Sequence, residues 1–78
     1  TIISFALPVD ASVTLNIYNL QGRLVRRLIT PDKIYKAAYH QISWDGTDDH
    51  GQPLAAGPYF YRLSSNRFTK SKVMVKIQ

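Results

Sequence analysis

The sequence predicts an all-β domain, a small antiparallel β-sandwich, on three observations. Apolar and polar residues alternate along most of the chain, which is the pattern of half-buried strands. Turn-forming residues interrupt this alternation about every 8 to 12 residues, and no stretch favours a long helix. The 78 residues make one domain, and the 45% hydrophobic content is enough for a folded core.

Two strands are predicted in the first part of the chain, one ending at Pro8 and one over residues 13–18. Residues 19–22, with an asparagine and a glycine, form the turn after the second strand. Every second residue of each strand falls on one face: Ile3, Phe5 and Leu7 in the first strand, and Val13, Leu15 and Ile17 in the second. We assign Phe5, Leu15 and Ile17 to the core.

Residues 23–29 leave two alternatives open. Leu24, Val25, Leu28 and Ile29 are apolar in adjacent pairs, which fits a turn of helix about as well as a bulged strand. Pro31 ends the stretch.

The next strand, over residues 40–44, ends at Trp44, which is the leading candidate for the centre of the core. Residues 45–51 follow as a tight turn rich in aspartate and glycine. Leu54 is assigned to a short strand, and Tyr59 and Tyr61 are core residues of a strong one.

The last predicted strand covers residues 68–78. Its alternation assigns Val73, Val75 and Ile77 to the core face and the lysines to the outer face. The total is six or seven strands, and we predict a seven-stranded antiparallel immunoglobulin-like sandwich.

Ten basic residues against five acidic ones give a net charge of +5 and suggest an anionic partner. The candidate interaction residues fall in two groups: Arg23, Arg26 and Arg27, and Lys70, Lys72 and Lys76. Nucleic acid is the weaker interpretation, because lysines on an edge strand also serve to discourage aggregation.

The chain has no cysteine, which excludes disulfides, thiol catalysis and cysteine-bound metals. No apolar run is long enough to predict membrane insertion. The first residue is Thr1, so we expect that residues 1–78 are one domain of a longer polypeptide.

The sequence resembles the FlgD-like immunoglobulin-like domains of flagellar hook-capping proteins and the similar C-terminal sorting domains of type IX secretion substrates. Four segments carry the resemblance: Leu7-Pro8; Val13-x-Leu15-x-Ile17-Tyr18-Asn19-x-x-Gly22-Arg23-x-Val25-x-x-Leu28; His40-x-Ile42-x-Trp44-Asp45-Gly46-x-Asp48-x-x-Gly51; and Gly57-x-Tyr59-x-Tyr61-x-Leu63. The end of the chain, Lys72-Val73-Met74-Val75-Lys76, is also similar to the basic and apolar terminus of the sorting signals.

The resemblance implies a non-catalytic accessory domain at the C-terminus of a larger secreted or cell-surface bacterial protein. Its partners would be the other domains of the parent polypeptide, or the secretion and envelope machinery. No cofactor is implied. The hook-capping role is not carried over, because it needs a separate assembly region.

Two functional motifs have simpler structural interpretations. Asp45, Asp48 and Asp49 could hold calcium through their carboxylates, but hydrogen bonding within a turn also explains them. No serine or cysteine is set relative to His40 and His50 in an arrangement that suggests a catalytic triad, so we expect no enzyme activity.

Two alternative functions remain open. Tyr18, Tyr35, Tyr39 and Phe60, if exposed in one row, would form a stacking platform for a carbohydrate-binding module of a glycosidase. A structural subunit that assembles through its edge strands is the other alternative.

Overall fold

The computed structural model describes residues 1–66 and 68–76, and these residues form eight strands and no helix. No segment in this part of the chain could therefore cross a membrane as a helix. The strands are β1 (Ile2–Ala6), β2 (Ala11–Ser12), β3 (Thr14–Tyr18), β4 (Leu24–Ile29), β5 (Ile34–Tyr35), β6 (Tyr39–Ser43), β7 (Gly57–Ser64) and β8 (Thr69–Lys76). The all-β prediction is confirmed.

The strands form three antiparallel sheets. β1 pairs with β6, β2 pairs with β5, and the third sheet has the order β4-β3-β7-β8. Eight strands are present instead of seven for two reasons. β2 and β5, of two residues each, are too short to show alternation, and the short strand predicted at Leu54 does not form. Leu54 lies outside the strands, next to an isolated bridge between Thr47 and Pro53.

β4 is a strand with two irregularities, which resolves the ambiguity at residues 23–29. Its register with β3 shifts on both sides of the Asn16 and Ile17 pairs, so that Leu28 and Val25 are extra residues. Both side chains pack against the core. An irregular strand that turns extra residues inward produces the adjacent apolar pairs that resemble a helical pattern.

One hydrophobic core joins the two-stranded β1–β6 sheet to the four-stranded sheet. Trp44, directly after β6, is 1% exposed, and its indole ring meets the ring of Tyr59 edge-on at 5.6 Å. Tyr61 is half-buried and packs against the same core. The buried apolar residues are Ile3, Phe5, Leu7, Val13, Leu15, Ile17, Ile29, Trp44, Tyr59 and Leu63.

Candidate interaction surface

β8 is the last strand of the four-stranded sheet and pairs on one side only, with β7. The pairing register is regular from Gly57–Lys76 to Ser64–Thr69. The other side of β8 is a free edge among the described residues. A free edge offers backbone N–H and C=O groups to another extended segment.

The two faces of β8 are reversed relative to the sequence-based expectation. Lys70 pairs with Leu63 and Lys72 with Tyr61, and residues opposite one another in an antiparallel ladder share a face. The lysines therefore lie on the inner face of the sheet, with Leu63. Val73 and Val75 point outward and are 73% and 61% exposed.

Lys76, the last described residue, is buried, with 9% of its surface exposed. Its side chain crosses Gly46, close to the position that a Cβ atom would occupy there. Lys76 is therefore placed against the aspartate-rich turn. Of the three candidate lysines of β8, Lys70 and Lys72 remain exposed. Ile77, which was assigned to the core face, lies outside the described residues.

A cleft of about 320 Å³ lies between β8 and β1. Its walls combine the two exposed lysines with aromatic and small polar side chains. They are Ser4, Phe5 and Ala6 from β1, Tyr61 and Leu63 from β7, and Lys70, Ser71 and Lys72 from β8. Sequence reasoning missed the β1 wall, since nothing in the residue pattern indicates that β1 and β8 lie side by side.

An apolar row crosses the outer face of the four-stranded sheet. Tyr18 pairs with Leu24 on one side and Phe60 on the other, and Phe60 pairs with Val73. Val73 is the most exposed large apolar residue of this row.

The aromatic residues do not form the flat platform that sugar stacking requires. The rings of Tyr18 and Phe60 are nearly parallel with centroids 5.2 Å apart, too close for two rings side by side in one plane, so each covers a face of the other. Arg62 lies over the Tyr18 ring at 5.4 Å. Tyr35 and Tyr39 lie on other strands, β5 and β6.

Two of the three candidate arginines are held by the aspartate-rich turn. Arg26 donates to the Thr47 hydroxyl at 2.8 Å and to the Asp48 carbonyl at 2.9 Å. Arg27 donates to Asp49 through its backbone at 2.8 Å and through its guanidinium at 2.7 Å. The turn therefore covers the free edge of β4, and only Arg23 is left exposed without these contacts.

Each carboxylate of this turn accepts hydrogen bonds from the protein itself. Asp45 accepts from the hydroxyl and the backbone N–H of Thr47, and the hydroxyl contact is the main reason that the pKa of Asp45 lies below its ordinary value. The backbone N–H of Gln52 is the main cause of the lowered pKa of Asp48. Within the described ranges, no group of three potential metal ligands comes together.

The histidines lie in different settings. His40 stacks on Phe5 at 5.2 Å, and its Nε2 atom is 2.8 Å from the Lys36 carbonyl oxygen. His50 is exposed in the aspartate-rich turn. A cleft of about 620 Å³ lies beside β2, and Asp10 is the charged residue of its lining.

The family model of the FlgD Ig-like domain matches residues 1–67. The chain belongs to the FlgD Ig-like domain family. Searches of curated proteins and of solved structures found no significant match.

The FlgD Ig-like match includes the Trp44 turn and the whole of β7, but it ends before β8. The strand that carries the exposed valines and the cleft lysines therefore lies beyond the matched residues. Its chemistry has to be interpreted from the structure of this chain.

Proposed function

We propose that this domain is a non-catalytic docking domain of an exported bacterial protein. In this proposal the β1–β6 sheet and the four-stranded sheet are arranged as an immunoglobulin-like sandwich. It acts in secretion sorting, in cell-surface attachment or in docking to the other domains of its parent. Its contact element is β8. Membership of the FlgD Ig-like family supports the role of an accessory domain.

The observation that carries the proposal is the free edge of β8 with two exposed valines. Val73 points into solvent at the end of the apolar row that includes Phe60, and Val75, opposite Pro58, is exposed on the same face. An exposed apolar edge strand is a liability for an isolated domain, because it invites pairing with other chains. Such a strand is explained when a partner covers it.

The proposal is tested in the native host with the full-length parent protein. Deleting residues 72–78 should reduce export or surface retention, but it also removes the buried Lys76. The double variant Val73→Ser/Val75→Ser avoids this problem, since both side chains are exposed. Leu20→Ser is the matched control, because Leu20 is 60% exposed and lies outside β8.

We expect the double variant to lower surface retention several-fold and the control to leave it unchanged. Thermal melting of the purified domains checks that both variants fold. Unchanged export and retention in the deletion and in the double variant would contradict the roles in sorting and surface attachment. Docking to the other domains of the parent is contradicted if a thiol at position 73 is equally reactive in the isolated domain and in the intact parent protein.

A further inference from the structure

We propose that the free edge of β8 and the adjacent cleft receive an extended polypeptide segment in which acidic and apolar residues alternate. This inference rests on the proposed function, because it names the chemistry of the partner of β8. Three features support it: the direction of the backbone groups of β8 and β1, the charges on the cleft walls and the exposed valines.

The backbone groups of Ser71 and Val73 point away from β7. Ser65 donates its N–H to the Phe68 carbonyl at 2.9 Å, and hydrogen-bonded pairs recur at every second residue of an antiparallel ladder. The pairs Leu63–Lys70 and Tyr61–Lys72 therefore carry the bonds to β7. The intervening residues of β8 present their N–H and C=O groups at the free edge.

β1 also has a free edge on its side of the cleft. Thr1 accepts from the Trp44 N–H at 2.8 Å, and Leu7 donates to the Ala38 carbonyl at 2.9 Å. By the same alternation, the backbone groups of Ser4 point away from β6. The cleft thus lies between two strands that each have one side without a ladder partner among the described residues.

The inner face of an added strand would lie opposite two lysines. Directly opposed side chains in a ladder are about 5 Å apart, where opposite charges attract and like charges repel. Lys70 and Lys72 have no ion-pair partner in the described part of the chain. Glutamate or aspartate at the opposed positions would supply both partners inside the cleft.

The outer face of the same segment would lie beside the valines. Val73 and Val75 have most of their surface in solvent, and apolar residues at the alternate positions of the segment would cover it. A segment of alternating acidic and apolar residues meets both demands at once.

A second copy of the chain fits this site poorly. If two β8 strands paired antiparallel with Ser71 opposite Ser71, then Lys70 would face Lys72 of the other copy. Each copy also carries a net charge of +5. The lysines therefore discriminate against self-pairing while they favour an acidic strand.

The test uses the ¹⁵N-labelled 78-residue chain and a short capped peptide of alternating valine and glutamate. We expect the backbone amides of Ser71 and Val73 to shift and to become protected from exchange with solvent. The same peptide with lysine in place of glutamate should bind at least about tenfold more weakly.

Charge reversal supplies the decisive comparison. Lys70→Glu/Lys72→Glu should weaken binding of the acidic peptide at least about tenfold and strengthen binding of the lysine peptide. Arg23→Glu/Lys33→Glu is the matched control, because it makes the same change in net charge at exposed residues away from the cleft. Amide spectra report directly whether each variant is folded.

Three results of the peptide experiments would overturn the inference. They are no amide shift at peptide concentrations up to about 1 mM, shifts confined to the outer face around Tyr18, and an equal loss of binding in the two charge variants. Concentration-dependent dimers of the wild-type chain through β8 would also overturn it, in favour of self-association.

The outcomes for the two proposals are distinguishable in the native host. If Lys70→Glu/Lys72→Glu retains normal surface retention while Val73→Ser/Val75→Ser loses it, the acidic segment is rejected and the docking function stands. If neither variant changes export or retention, the roles in sorting and surface attachment fail, whatever the peptide binding shows.

Discussion

Trp44 connects the core to the aspartate-rich turn. Its indole ring packs edge-on against Tyr59, and its Nε1–H donates to the Thr47 carbonyl at 2.9 Å. Thr47 in turn donates to the carboxylate of Asp45. One buried side chain thereby stabilises both the packing of the sheets and the shape of the turn.

Trp44→Ala should lower the free energy of unfolding by about 3 to 5 kcal/mol, because a large cavity replaces a fully buried ring. This is a large part of the total stability of so small a domain. Urea denaturation measures the change, with Leu20→Ala as an exposed control that should cost less than about 0.5 kcal/mol. A urea denaturation curve like that of the parent would show that Trp44 is not central to the core.

The lowered pKa values of Asp45 and Asp48 predict a loss of stability in acid. A carboxyl whose pKa is lower in the folded state stabilises the fold above its ordinary pKa of about 3.9. This contribution is lost as the pH falls through the lowered pKa of the folded state, because protonation weakens the hydrogen bonds from Thr47 and Gln52.

Asp45→Asn/Asp48→Asn should therefore flatten the dependence of stability on pH below about pH 5. Urea denaturation at a series of pH values measures the slope. Leu20→Ala, an exposed substitution that changes no titratable group, is the control and should keep the parent's slope. The same slope in the double variant would mean that these carboxylates are not stabilised by folding.

At the scale of elements, the aspartate-rich turn, residues 45–51, contacts both edge strands of the four-stranded sheet. Asp49 donates its backbone N–H to the Val25 carbonyl at 3.1 Å, and its side-chain carboxylate accepts from the Arg27 N–H. Asp49 therefore satisfies two backbone groups at the edge of β4. Gly46 meets the side chain of Lys76 from β8. The turn therefore fixes one edge strand and contacts the other.

Gly46→Ala should destabilise the domain more than Gly51→Ala. Both glycines have positive φ angles, +83° and +80°, where an alanine costs about 1 to 2 kcal/mol. A Cβ at Gly46 would also displace the buried Lys76 side chain, whereas the space at Gly51 is open. Denaturation in urea gives both values.

The excess cost of Gly46→Ala should disappear in a Lys76→Ala background, since the obstructing side chain is then gone. An excess that persists in that background, or equal costs at both glycines from the start, would contradict the contact between the turn and β8.

The sequence was sufficient to predict β1 and β3 and their inward faces, but not the faces of β8. Leu15 and Ile17 alternate with polar residues, and the structure places them at 0% exposure. In β8 the valines alternate with lysines, and hydrophobicity alone assigns the valines to the core. The register with β7 reverses this assignment by pairing Lys72 with Tyr61, and a shift of one residue would exchange the two faces.

The aspartate-rich turn illustrates a second limit. Its tight geometry follows from its composition, because aspartate side chains accept from nearby backbone amides. Its position against β4 does not, since Arg27 and Asp49 are 22 residues apart in sequence. Contacts at that separation depend on the packing of the whole chain.

At the scale of the whole molecule, the two edges of the four-stranded sheet differ in chemistry. The β4 edge is covered by the turn through Asp49, and the β8 edge is free in the described part of the chain. The free edge combines exposed valines with lysines on the side of the cleft. This difference between the two edges of the four-stranded sheet supports the proposal that β8 is the contact element.

The most direct test of this account is the accessibility of position 73 in the intact parent protein. The chain has no cysteine, so Val73→Cys and Leu20→Cys each introduce one thiol into the domain. In the isolated domain, both thiols should react rapidly with a maleimide, since the parent side chains are 73% and 60% exposed. Mass spectrometry of the labelled peptides gives the rates.

In the intact parent protein at its native location, we expect the thiol at position 73 to react at least about tenfold more slowly than in the isolated domain. The thiol at position 20 should keep its rate. Equal reactivity of position 73 in the two settings would mean that no partner covers β8, and it would contradict the docking function.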